Sequence, residues 1–186
     1  MAKILGLSGS LRVASYNSAL LRAAVASAPS GTTLEAGTIR GIPLYDGDVE
    51  AQGIPDAVKQ LKEQIASADG LLLVTPEYNN SIPGVFKNAI DWASRPSADV
   101  ARIFKGRPVA IMGASPGRFG TLLSQTAWLP VVRTLGMRPW YASPLYIGDA
   151  SKVFDAAGAI LDASVRERVA QFVHGFAQFV EQSRAK

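Results

Sequence analysis

The run Gly70 to Thr75 reads GLLLVT, with no polar residue alternating among the apolar ones. A strand built from it has no face to give to water. Such strands sit inside parallel sheets that carry helices on both faces. That run points to a strand covered on both faces, as in an α/β architecture.

The rest of the chain agrees. Short apolar runs alternate with longer helical patterns. Lys3–Ser8 (KILGLS) and Thr33–Ile39 read as strands before Gly70–Thr75, and Arg107–Gly113 (RPVAIMG) follows as a fourth. Arg138–Ile147 holds a fifth, irregular strand. Between them Asn17–Ser27 is helical, and Ile54–Ala68 is amphipathic with Val58, Leu61 and Ile65 on one face. Pro83–Ser94 is helical, with Pro83 suited to a first turn. Arg118–Leu135 is mostly helical, and Pro130 is expected to kink or split it. Ala157–Gln182 closes the chain as a helix. Repeated βα units without a composition break predict one domain over 1–186, a doubly wound parallel sheet with helices on both faces. Gly6-Leu-Ser-Gly-Ser-Leu-Arg12 after the first strand fails the G-x-G-x-x-G pattern of dinucleotide folds, and no Gly-Lys-Ser/Thr of a P-loop exists. Five strands with a polar first loop suit the flavodoxin-like order 2-1-3-4-5, whose switch point lies between strands one and three.

Composition removes whole classes of chemistry. There is no cysteine, which excludes disulfides, thiolate metal sites and cysteine nucleophiles together and fits a reducing compartment. With one histidine, metal binding falls to carboxylates, and Asp46-Gly-Asp48-Val-Glu50 lacks the longer series of a calcium loop, so it reads as a turn. The formal net charge is +4, but the basic residues are scattered and form no stripe or known nucleic-acid module. Met1 to Ser10 is too short and too rich in Gly and Ser for a signal segment, and no charge-poor apolar run approaches the roughly 20 residues of a membrane helix. A soluble protein of the cytoplasm, without nucleic acid or membrane partner, is expected.

Ligands of open α/β sheets bind beyond the carboxyl ends of the strands at the switch point. The loops there are unusual. Loop 1, Ser8 to Asn17, carries Ser10, Arg12, Ser15 and Asn17 just before a helix, a donor set that suits a phosphate. An ordinary helix cap, with Ser15 or Asn17 as N-cap and Arg12 in solvent, uses the same residues. Loop 2, Thr75-Pro-Glu-Tyr-Asn-Asn-Ser-Ile-Pro-Gly84, is stiffened by two prolines. It can hold backbone groups against the edge of a planar heterocycle, or serve as a rigid connector. Loop 3, Gly113 to Gly120, spells G-x-S-x-G, and Ser115, Asp149, Asp155 or Asp162, and His174 follow in the order of a serine hydrolase. Two facts oppose that reading. The residue after Ser115 is Pro116, which has no N–H for an oxyanion hole. His174 lies opposite the apolar face of the last helix, so it is expected in solvent.

The strings GSLRVASYN, PLYDGD, PEYNNSIPGVFKNAIDW and GASPGRFG resemble the NADPH-dependent FMN reductase family, over roughly residues 3 to 140. The resemblance implies a flavodoxin-like fold and a non-covalent FMN. It implies that Ser10, Arg12, Ser15 and Asn17 hold the phosphate, with Tyr16 at its border. Pro76, Glu77, Tyr78 and Asn79 would line the isoalloxazine, largely through backbone groups, and Ser115 with Gly117 would close the other side. A carboxylate beside a reduced, anionic flavin repels it, so Glu77 is not expected to act as acid or base. NADPH or NADH would deliver a hydride to the flavin, and a quinone, free flavin, azo dye or chromate would take the electrons. The protein supplies position and electrostatics, so no catalytic side chain is assigned. A flavodoxin-type electron carrier shares fold and cofactor, but such carriers are usually acidic and this chain is +4. The family forms homodimers or homotetramers. The helix bearing Val85, Phe86, Ile90 and Trp92 is either an interface or simple core.

Overall fold

Four parallel strands carry most of the sheet, and the core divides into two layers around them. The structure, a computed structural model, describes residues 1–184. In chain order the elements are β1 (Ala2–Ser8), α1 (Tyr16–Ala26), β2 (Thr32–Gly37), α2 (Gly47–Gln52), α3 (Asp56–Ser67), β3 (Gly70–Val74) and α4 (Gly84–Ala93). A 3₁₀ turn (Ser97–Asp99) leads into α5 (Val100–Ile103), followed by β4 (Pro108–Ala114) and α6 (Leu122–Thr134). The chain ends with β5 (Arg138–Pro139), β6 (Leu145–Ile147), α7 (Ala150–Val153) and α8 (Ala163–Arg184). The sheet order is β2-β1-β3-β4-β5, all pairings are parallel, and β6 also pairs with β4. This is the flavodoxin-like order expected from the sequence.

Every residue of β3 is buried, as its continuous apolar run requires. On one face α1 and α8 cover Ile4, Leu72, Val74 and Met112. On the other, α3, α4 and α6 cover Leu5, Leu7, Leu71 and Leu73. Val58, Leu61 and Ile65 of α3 point inward together. Adjacent β1, β3 and β4 therefore bring loops 1, 2 and 3 to one end of the sheet.

Several elements differ from the sequence expectation. Helix α6 runs through Pro130 as one element, because Trp128 and Val132 on either side are anchored in the core and Pro130 itself faces solvent. The fifth strand is two short pieces, β5 and β6, both on β4. Pro139 and Pro144 interrupt the edge, where a missing donor is tolerated. Asp46 to Glu50 is not a plain turn: the Asp46 carboxylate accepts from Asp48 N at 2.8 Å and caps α2. The last helix starts six residues later than its apolar period suggests, at Ala163 rather than Ala157. Before it, the Asp155 carboxylate accepts from Ala157 N and Ala159 N and closes a turn. Phe86, Ile90 and Trp92 of α4 are fully buried within the chain, so they are core and not a subunit interface; Val85 is half-buried. No described helix is long and apolar enough to cross a membrane.

Candidate functional site

The three loops are stitched to one another by the ends of their own strands. Gly9 N donates to Val74 O at 2.9 Å, and Thr75 N donates to Met112 O at 2.9 Å. A Cβ at Gly9 would collide with the Phe86 ring, and one at Gly113 with Thr121 Oγ1 and the Thr75 carbonyl. Glycine is required at both places because the backbones approach too closely for any side chain.

In loop 1, Ser15 is the N-cap of α1, its hydroxyl accepting from Asn17 N at 3.2 Å and Ser18 N at 3.3 Å. Asn17 is tied to the end of β4. Its side chain is 4% exposed, its Nδ2 donates to Ala114 O at 2.8 Å and its Oδ1 accepts from Ala114 N at 2.9 Å. One Nδ2 N–H and the Oδ1 bond Ala114, so Asn17 fixes the start of α1 against the end of β4 while the second Nδ2 N–H has no protein acceptor among the described residues. Arg12 is exposed but not loose. Its Nη2 donates to Ala14 O at 2.6 Å and its guanidinium lies over the Tyr16 ring, 5.5 Å from the centroid. Tyr16 in turn stacks on Phe154 at 5.7 Å. The half-buried Ser10 accepts from Arg12 N at 3.3 Å. Among the described residues, the N–H groups of Leu11, Val13 and Ala14 have no protein acceptor. A loop of free donors beside a helix N-terminus and a pre-positioned guanidinium is the donor set a phosphate monoester needs.

In loop 2, Pro76 is buried, Glu77 half-buried, and Tyr78 and Asn79 exposed. Tyr78 and Ser81 exchange both backbone hydrogen bonds, at 3.1 and 3.0 Å, around Asn79 and Asn80. Both asparagines have positive φ, 49° and 60°, as a tight primed turn demands. Glu77 has a definite task. Its Oε2 accepts from Leu123 N at 2.8 Å and Ser124 N at 3.0 Å, so it caps α6 from a distant loop.

In loop 3, Ser115 Oγ donates to Gly120 O at 2.6 Å, while Ser115 N donates to Ile147 O at 3.0 Å. The Gly117 carbonyl accepts from Gly120 N and Asp149 N, both at 3.2 Å. His174 is exposed on α8 and bonds Gln178 at 3.0 Å. Neither the serine nor the histidine partners the other, so the hydrolase reading has no geometry. No cluster of metal-ligating side chains exists among the described residues.

Sequence reasoning missed the support beneath these loops. Thr75 Oγ1 lies 2.9 Å from Ser124 Oγ and accepts from Trp128 Nε1 at 3.1 Å, all buried, which ties loop 2 to α6. The signal was a threonine ending an otherwise apolar strand. Arg40, beyond β2, donates to Leu11 O at 2.6 Å and steadies loop 1. No local pattern announces that contact.

Residues 2–151 match the family described as NADPH-dependent FMN reductase. The chain is 47% identical over 182 residues to an NAD(P)H-dependent FMN reductase of Pseudomonas aeruginosa, covering 98% of this chain and 97% of that protein. It is 39% identical over 182 residues to a 2-hydroxy-1,4-benzoquinone reductase of a Burkholderia species, covering 98% of each. Among solved structures it is similar to FerB, a flavoenzyme NAD(P)H:(acceptor) oxidoreductase from Paracoccus denitrificans. The TM-score is 0.88 at 32% identity, covering 98% of this chain and 99% of that one.

Proposed function

This chain belongs to the NADPH-dependent FMN reductase family, and from that premise we propose that its electron acceptor is a quinone. It is an FMN-dependent NAD(P)H oxidoreductase acting on a small-molecule acceptor. When bound, FMN supplies the redox chemistry, taking a hydride from the nicotinamide and passing electrons to the acceptor.

The chain's own residues bind and orient. The free N–H groups of loop 1, with Ser10, Arg12 and the dipole of α1 capped by Ser15, neutralise the phosphate. Tyr16 holds the Arg12 guanidinium by its ring face. Asn17 acts from beneath, locking loop 1 to β4. The backbone of Pro76, Glu77, Tyr78 and Asn79 lines the ring, held in place by the Glu77 cap and the Asn79–Asn80 turn. Ser115 and Gly117 close the opposite side. No side chain of this set has to give or take a proton.

One observation carries the reading: the free donor loop opens at the β1/β3 switch point, between two loops pinned to the same strands. The relatives named as a benzoquinone reductase and quinone reductases favour a quinone over chromate, an azo dye or free flavin. The whole chain, 1–186, works as one FMN-binding domain in the cytoplasm, as a homodimer or homotetramer.

The test uses the purified protein under nitrogen. A bound flavin spectrum that bleaches with NADPH and returns on adding 1,4-benzoquinone is the expected result. A protein that takes up no FMN overturns the cofactor assignment. One that bleaches and is not reoxidised by quinone overturns the acceptor.

A further inference from the structure

Beside loop 1, away from the ring-binding loops, a groove of about 370 Å³ opens between α1 and the end of β2. It is lined by Arg12, Arg22 and Arg40, with hydroxyls from Ser10, Ser18 and Thr38. No carboxylate lines it, and among the described residues none of the three arginines has a carboxylate within 4 Å. Other arginines in this chain do find acids: Arg95 with Glu50, Arg102 with Glu63, Arg184 with Asp69. Three cations around one concavity repel each other unless an anion joins them. The arginines are held but not saturated. Arg40 Nη2 donates to Leu11 O at 2.6 Å, and Arg22 Nη2 reaches Ala157 O only at 3.5 Å. Each guanidinium has five N–H groups, so most remain free.

Resting on the assignment of an NAD(P)H oxidoreductase, we infer that this groove receives the 2′-phosphate of NADPH and is what makes the enzyme prefer NADPH to NADH. It lies beyond the carboxyl ends of two adjacent strands, β1 and β2, where open sheets take ligands. Guanidinium forks match a phosphate monoester in charge and geometry, and the serine and threonine hydroxyls satisfy further oxygens. Arg12 stands between the two anion sites. It serves the flavin phosphate with loop 1; Arg40 lines the groove while steadying loop 1 through Leu11 O, and Arg22 lines it while also bordering the neighbouring surface at Ala157 and Gly158.

The test uses FMN-loaded enzyme and the variants Arg22→Ala and Arg40→Gln. For each, KM is measured with NADPH and with NADH at saturating quinone, and FMN content is read from the visible spectrum. KM for NADPH is expected to rise at least tenfold in Arg22→Ala, with kcat and the NADH parameters unchanged; in Arg40→Gln, which also loses a contact to loop 1, the ratio of the NADPH KM to the NADH KM is expected to rise at least tenfold. Arg40→Lys, which keeps the charge but loses the fork, is expected to recover part of the loss. Adenosine 2′,5′-bisphosphate is expected to inhibit the unsubstituted enzyme at least tenfold more tightly than AMP, and the variants are expected to erase that difference. Equal changes with both donors, or no change with either, overturn the assignment. So does a bisphosphate no better than AMP, or inhibition by inorganic phosphate that the variants leave intact. Enzyme that keeps its flavin and oxidises NADH while failing these tests loses only the groove; enzyme that holds no flavin loses the functional reading itself.

Discussion

Arg12 shows how a residue can be both exposed and positioned. Tyr16 beneath it and the Ala14 carbonyl restrict its rotamers before any ligand arrives, which lowers the ordering cost of binding. Replacing it by alanine is expected to weaken FMN binding by about 1.5–3 kcal/mol, the worth of a charge-assisted contact, as measured by fluorescence titration of the apoprotein. An unchanged dissociation constant would place Arg12 outside the phosphate set. Glu77 makes the opposite case. Its carboxylate faces α6, so Glu77→Ala is expected to lower stability by about 1–2 kcal/mol. Glu77→Gln keeps an acceptor oxygen and is expected to cost less. Urea midpoints measure both. At this scale the sequence named residue types well and partners poorly. Ser, Arg and Asn in one loop suit an anion, but nothing local showed that Asn17 also bonds Ala114, 97 positions away in sequence. Which atom meets which across such a distance depends on strand register, and no local spacing encodes it.

Among the elements, the short helix α5 and the turn before it carry a titrating anchor. Lys62 on α3 is buried, donates to the Arg95 carbonyl and bonds Asp99 at 2.6 Å. That hydrogen bond, helped by the charges of Lys62 and Arg102, holds the Asp99 carboxyl below its ordinary range against the opposing effect of burial. A carboxyl depressed in the folded state contributes stability that is present above its unfolded value, near 4, and is lost as pH falls through the folded one. Lys62→Met removes the partner and is expected to cost about 1–3 kcal/mol at neutral pH. Asp99 is a third exposed, so screening keeps the cost well below that of a wholly buried pair. Urea midpoints of the two proteins should converge as pH is lowered from 5 towards 3. A constant gap would show that the contact is packing and not charge. Element boundaries followed the same logic as this anchor. The core strands and α3 were legible because their apolar periods are strong. The start of α8 was not, because Asp155 and Asp162 use their carboxylates to cap a turn and a helix, and hydrophobicity does not register a cap.

For the molecule as a whole, the sheet order was legible and the broken edge was not. One fully apolar strand, with polar loops on the strands flanking the switch point, is enough to choose the 2-1-3-4-5 winding. Nothing in Arg138 to Ile147 says that β4 takes two partners in succession. Because the cofactor binds the folded chain, its addition should be visible globally. At a hundredfold excess over the dissociation constant, stabilisation is about 2.7 kcal/mol, which for a chain of this size corresponds to a rise in melting temperature of roughly 5–10 °C. Differential scanning fluorimetry with and without FMN measures it, and an unmoved transition would mean that FMN does not bind the native state.

The two-piece outer strand also bears on how the margins of the sheet meet other chains. A long exposed strand invites a neighbour's backbone to zip onto it and seed fibres. Here that ladder stops at Pro139 and resumes only at Leu145, while at the far side of the sheet Glu35 on β2 pairs with Lys3 at 3.3 Å. Neither margin offers an intruding chain a template that is both unbroken and uncharged.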